Sequence, residues 1–128
     1  MKVLLVDDSR TMRNIQKNVL KTLGEFDCTE AGDGLEGLTV MAGLTEPFDF
    51  MLVDWNMPNM DGLSFVKRVR EKDKTTPIIM VTTEAEKSRI IDAIKAGVNN
   101  YVIKPFTPDA LLERVKSTLE KCRGAAPA

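Results

Sequence analysis

The feature that most constrains this chain is a strict alternation along its length: five short apolar runs, each followed by an amphipathic stretch. The runs cover residues 3–6, 26–31, 50–53, 78–81 and 99–103. They are rich in Val and Ile and mostly continuous, as strands buried on both faces should be. The intervening stretches have helical period. Met12, Ile15, Val19, Leu20 and Leu23 are expected to share one face of a first helix, with Gly24 as its stop. A second helix over 35–44 has low propensity, because Gly37 and Gly43 both weaken it. Leu63, Phe65, Val66 and Val69 form the apolar face of a third. Ile90, Ile91 and Ile94 form that of a fourth, ending at Gly97. The last helix has Thr107 as cap, Pro108 and Asp109 in the first turn, and Leu111, Leu112, Val115 and Leu119 facing inward.

Strand–helix alternation with short connections predicts an α/β domain: a doubly wound five-stranded parallel sheet, right-handed crossovers, and helices on both faces. The expected strand order is 2-1-3-4-5, carried over from known sheets of this kind rather than derived from this chain. Residues 1–122 are expected to form this one domain and 123–128 a disordered tail. In such sheets ligands bind beyond the carboxyl ends of the strands, where the winding reverses between strands 1 and 3.

Composition excludes several functions. A formal charge of −1 offers no general field for nucleic acid or anionic lipid. No apolar run nears the roughly 20 residues of a membrane span, and no signal peptide is expected. Cys28 and Cys122 are read as free thiols in a reducing cytoplasm. The chain has no histidine, so Ser-His and Cys-His nucleophiles and imidazole-based zinc sites are ruled out. Any phosphohistidine must come from a partner.

The carboxyl ends of the runs carry the chemistry. The first ends in Asp7-Asp8, the third in Asp54, the fourth in Thr82 and the fifth in Lys104. Crowded carboxylates repel one another unless cations intervene. Lys104 offsets one charge, and Mg2+, which favours oxygen ligands and keeps several waters, suits the rest. Asp8 and Asp54 are expected to ligate the metal directly and Asp7 directly or through water, with the Asn56 backbone carbonyl as a further donor. Alone, Asp8 would read as a helix cap; beside Asp54 and Lys104 the metal reading is preferred. Asp54, at the end of a buried strand, is the expected nucleophile forming an aspartyl-phosphate. Mg2+, Lys104, Thr82 and backbone N–H groups after the third strand would serve the phosphoryl oxygens. In the loop Asp54-Trp55-Asn56-Met57-Pro58-Asn59-Met60-Asp61-Gly62, Pro58 sets the path and Asn59 or Asp61 caps the next helix. Trp55, the only tryptophan, should report site occupancy.

Asp7-Asp8, Asp54, Thr82 and Lys104-Pro105-Phe106 together resemble the signature of response-regulator receiver domains, with residues 54–62 and 103–107 most similar to the CheY-like family. The resemblance implies a flavodoxin-like (βα)5 fold, Mg2+ dependence, a histidine kinase as phosphodonor, and a cis Lys104–Pro105 bond. It also implies self-phosphorylation from small donors and self-dephosphorylation, whose rate the pair Asn56 and Glu84 would tune; Glu84 also reads simply as a solvated acid near the fourth helix. Tyr101 on its own reads as an exposed strand residue. With the resemblance it becomes a rotamer switch, moving inward as Thr82 moves toward the phosphoryl group, and linking the site to a partner surface that includes Ile90, Ile103 and Arg114. Ser9 and Thr83 depart from the family pattern, and Thr83 would narrow access to the phosphoryl group.

The output implied is a monomeric, cytoplasmic regulator that binds the flagellar motor switch when phosphorylated, with a phosphatase as a further partner. The alternatives are a phosphorelay intermediate or a phosphate sink. A haloacid-type phosphatase would need an acid two residues after Asp7, where Ser9 stands, and a flavodoxin a Ser/Thr-rich phosphate loop that is missing. A DNA-binding regulator is not expected, because the chain ends where an output domain would begin.

Overall fold

In the computed structural model, which describes residues 1–125 with side chains to 122, five strands alternate with five helices. The strands are β1 (Lys2–Val6), β2 (Asp27–Ala31), β3 (Phe50–Val53), β4 (Ile78–Thr82) and β5 (Asn100–Ile103). The helices are α1 (Arg10–Lys21), α2 (Gly34–Ala42), α3 (Gly62–Arg70), α4 (Lys87–Ala96) and α5 (Pro108–Ala125). All strand pairs are parallel, in the order β2-β1-β3-β4-β5. The expected architecture and order are those observed.

The continuous apolar runs of β1, β3 and β4 are explained by burial on two sides, whereas the edge strand β2 buries only Ala31 and β5 only Tyr101 and Val102. Alternate residues separate: Leu4, Val6, Met51, Val53, Ile78 and Met80 join residues of α3 and α4, with α2 against them. Val3, Leu5, Phe50, Leu52, Ile79 and Val81 join residues of α1 and α5. At roughly 25 cal/mol per Å² of apolar surface, these two layers supply most of the driving force for folding.

Register sets the site. Val6 pairs with Val53, so β1 and β3 end side by side. The Asp54 N–H then donates to the Val6 carbonyl at 2.8 Å, and the Asp7 N–H to the Ala31 carbonyl at 3.0 Å. The Lys104 N–H donates to the Thr82 carbonyl at 2.9 Å. The ladder thus runs one step past each strand and delivers these side chains to one edge.

Four helix starts are capped by side chains: Ser9, Asp33, Asp61 and Thr107 accept from Met12, Glu36, Ser64 and Ala110 N–H groups. Thr107 caps as expected, and of the two candidates for α3 it is Asp61. Gly97 ends α4 in the left-handed region at φ 113°.

Some expectations are corrected. Ile15 is 42% exposed, and Gln16 takes the buried place on α1. A single step of about 100° separates the two positions, so a pattern with apolar and polar neighbours leaves the choice to tertiary packing. Ile91 and Ile94 are 42% and 52% exposed, and of the α4 residues only Ala93 is fully buried. Helix α2 runs from Gly34 to Ala42 rather than over 35–44. Its low-propensity Gly37 has a packing reason: a Cβ there would stand 2.7 Å from the Phe65 ring of α3. Helix α5 continues to Ala125, into the segment expected as a tail; residues 126–128 lie outside the described residues.

Candidate functional site

Carboxylate oxygens of Asp7, Asp8 and Asp54 lie within 4.8 Å of one another at the carboxyl edge of the sheet. Asp7 is 1% and Asp54 7% exposed, whereas Asp8 faces solvent. The two oxygens of Asp7 are both engaged, one by the Ser9 N–H at 2.8 Å and the other by the Lys104 ammonium at 2.9 Å. The same ammonium reaches Asp54 at 3.2 Å. Because Ser9 caps α1, Asp8 is released from that duty, and its carboxylate makes no hydrogen bond or ion pair among the described residues.

Burial pushes the Asp54 carboxyl above the usual range; the Lys104 charge draws it back and the Asp7 charge pushes it up again. One lysine therefore serves two buried carboxylates with a third beside them. The donor set is entirely oxygen, lacks nitrogen and sulfur ligands, and suits a hard divalent cation such as Mg2+.

Thr82 is fully buried at the end of β4, and its hydroxyl accepts from the Glu84 N–H at 3.4 Å. Tyr101 does not occupy the exposed position its sequence context suggests. It is 8% exposed, and its hydroxyl donates to the Glu84 carbonyl at 2.5 Å. Its face of β5 is covered by α4 and by the loop between β4 and α4, so the ring lies inward against Met80 and its neighbours. Burial, with Glu84 and Asp54 nearby, raises the phenol to about 12. Since the folded value exceeds the ordinary value of about 10, the associated stability is present below pH ~10 and is lost as pH rises through the folded value. As Tyr101 is the only tyrosine, ultraviolet absorbance against pH reads it directly. A midpoint near 12 is expected, and one near the ordinary value would place the ring in water.

The remaining predicted residues are more dispersed. Asn56 is exposed in the loop after Asp54. Glu84 is half-buried and Thr83 exposed. Ile90 is half-buried, Ile103 is 38% exposed, and exposed Arg114 donates to the Asn100 side-chain carbonyl at 3.2 Å. Trp55 is buried beneath the Arg89 guanidinium, 5.5 Å from the ring centroid. Three supporting contacts escape the sequence. Arg13 donates to the Asp7 carbonyl while pairing with Glu30 at 2.9 Å. Asp33 bonds Asn59, and Gly62 lies directly beneath Asp54. Only the cap of α2 had a local signal, Asp33 with Glu36 three residues on.

A family model described as the response regulator receiver domain matches residues 3–116. The chain belongs to that family. A chemotaxis protein CheY homolog of Campylobacter jejuni is 50% identical over 121 residues, covering 93% of this chain and 92% of the relative. The chemotaxis protein CheY of Pseudomonas aeruginosa is 45% identical over 126 residues, covering 97% and 100%. Among solved structures, the CheY-like receiver domain from Methanospirillum hungatei superposes with a TM-score of 0.87 at 27% identity, covering 98% of each chain. Chemotaxis protein CheY4 of Vibrio cholerae gives 0.82 at 36%, covering 91% of this chain and 97% of the other. This receiver is CheY-like in sequence and in fold.

Proposed function

We propose that this receiver takes a phosphoryl group from a histidine kinase onto Asp54 and relays chemotaxis signals by binding the flagellar motor switch. The supporting observation is the convergence of Asp7, Asp8, Asp54 and Lys104 at one sheet edge, with buried Thr82 ending the neighbouring strand. An Asp54 carboxylate oxygen attacks phosphorus in line. The new O–P bond forms as the donor's P–N bond to imidazole breaks, or the P–O bond of acetyl phosphate, which leaves as acetate. Lys104, already between Asp7 and Asp54, balances charge on one phosphoryl oxygen; Thr82 donates to another. Asp8 and Asp54 would hold Mg2+, with Asp7 directly or through water and the Asn56 carbonyl, and the ion would supply further charge neutralisation. Asn56 and Glu84 flank the path of attacking water and set the lifetime of the phosphoryl group. A second protein with phosphatase activity would shorten it.

Output follows from Tyr101. Its hydroxyl holds the Glu84 carbonyl, in the loop that follows Thr82. Movement of Thr82 toward the phosphoryl group therefore changes the support of α4, and with it a surface including Ile90, Tyr101, Ile103 and Arg114. The protein works as a cytoplasmic monomer; among the described residues no helix is long and apolar enough to cross a membrane.

The test is affinity for a motor-switch peptide with and without acetyl phosphate and Mg2+. Phosphorylation should tighten binding, and Tyr101→Ala should be phosphorylated normally yet lose about tenfold in affinity. Equal peptide affinity in both states, with passage of the phosphoryl group to a second histidine protein, would assign a phosphorelay instead. Unaltered binding by Tyr101→Ala would remove this residue from the switch.

A further inference from the structure

The loop after Asp54 is fastened at a second point, on α2, which the phosphoryl chemistry does not require directly. Asn59 is the one described non-glycine residue with positive φ, at 65°. Its side-chain amide donates to one oxygen of Asp33 at 2.7 Å. The other Asp33 oxygen accepts the Glu36 N–H at 2.8 Å and caps α2. Beside this bridge the Gly34 N–H donates to the Met60 carbonyl at 3.2 Å. The two backbones approach so closely that a Cβ on Gly34 would stand 2.7 Å from the Met60 side chain and 2.9 Å from its carbonyl oxygen. Between Asn56 and this anchor stand only Met57 and Pro58, whose carbonyl accepts the Met60 N–H at 2.6 Å. A left-handed residue next to a proline, tied at its side chain, leaves the short segment little freedom.

We propose that Asp33 is a positioning residue for the cation site: by holding Asn59 it aims the Asn56 backbone carbonyl at the metal. The proposal rests on the reading of Asp8, Asp54 and Asn56 as the Mg2+ site. One carboxylate thereby does two jobs, starting α2 with one oxygen and shaping the metal-facing loop with the other. Groups that orient a ligand from outside the coordination shell typically change metal affinity by about tenfold or more when removed. Here the orienting contact lies at the surface and is reinforced by the neighbouring backbone bond, so the lower end of that range is expected.

The experiment is a titration of the whole protein with MgCl2 at fixed ionic strength, followed by amide shifts in 1H–15N spectra, with a melting temperature for each variant. Asp33→Ser keeps an oxygen to cap α2 but cannot reach Asn59, and should bind Mg2+ about tenfold more weakly. Asn59→Gly frees the backbone and removes the same bond, with a similar loss expected. The double variant should be no weaker than Asn59→Gly alone, because the bond that Asp33→Ser deletes is already lost there. Asp33→Asn removes the charge but retains the cap, and with the Asn59 amide turned over it retains the bridge; its affinity should stay within about twofold of wild type. If Asp33→Asn falls as far as Asp33→Ser, the effect is charge alone and the proposal fails. Wild-type affinity in both Asp33→Ser and Asn59→Gly overturns it as well. Absence of Mg2+ shifts around Asp8, Asp54 and Asn56 in the wild type is a different result: it removes the metal site itself, and the proposal with it.

Discussion

Gly62→Ala should be the most destabilising glycine-to-alanine change among the described residues, with a loss of about 3 kcal/mol or more. A Cβ at Gly62 would lie 2.1 Å from the Asp54 carbonyl oxygen and 2.9 Å from the Trp55 Cα. Both are backbone atoms just past the end of β3, where the Asp54 N–H is tied to the Val6 carbonyl, so no side chain can swing aside. The close approach is needed because the loop returns on itself: the Gly62 N–H donates to the Trp55 carbonyl at 2.8 Å, and α3 begins there. Thermal unfolding should show a fall of about 10 °C or more, since 1 kcal/mol shifts a domain of this size by several degrees. Gly43→Ala is the control. Its Cβ would meet nothing nearer than 3.8 Å and its φ of −94° is open to any residue, so its stability should hold or rise slightly. Equal melting temperatures for Gly62→Ala and wild type would mean that the loop does not close over Asp54 as described.

Lys104→Ala should lower the rate of Asp54 phosphorylation by about a hundredfold, the usual cost of removing one fixed charge from a developing anion. The effect is large because Lys104 is the one cation paired with either Asp7 or Asp54 among the described residues. Its removal leaves two nearly buried carboxylates facing each other, and both causes that already raise Asp54, burial and Asp7, then act unopposed by the ammonium. The rate of adduct formation from acetyl phosphate at saturating Mg2+ measures this. Lys104→Arg, whose planar head cannot occupy the same point between the two oxygens, should recover little. Wild-type rates in Lys104→Ala would show that the ammonium organises the resting site without assisting the transfer.

Much of this was legible in the residues because the buried parallel strands are unusually explicit. A four-residue run such as Phe-Met-Leu-Val at 50–53, closed by an aspartate, identifies both a strand and the edge where it ends. With the strand order carried over, Asp7, Asp8, Asp54, Thr82 and Lys104 fall on one edge without further geometry. Helix faces were less legible. Ile15 and Gln16 differ by one position, as do Ile90 and Ile91, and neighbouring elements decide which turns inward. Tyr101 illustrates the same limit: its burial depends on the loop carrying Glu84. The bond from Asn59 to Asp33 spans 26 positions and no local pattern announces it. Gly62 and Gly37 read as turn or helix-weakening residues, whereas each is small because something must pass over it.

Asp54 is proposed to accept the phosphoryl group with the help of Mg2+. Intact-mass analysis after mixing with acetyl phosphate, with and without Mg2+ and alongside Asp54→Asn, tests it most directly. A single phosphoryl adduct that requires Mg2+ and is missing from Asp54→Asn is the result predicted. No adduct on the wild-type protein, or one that persists in Asp54→Asn, would rule out phosphoryl transfer to Asp54.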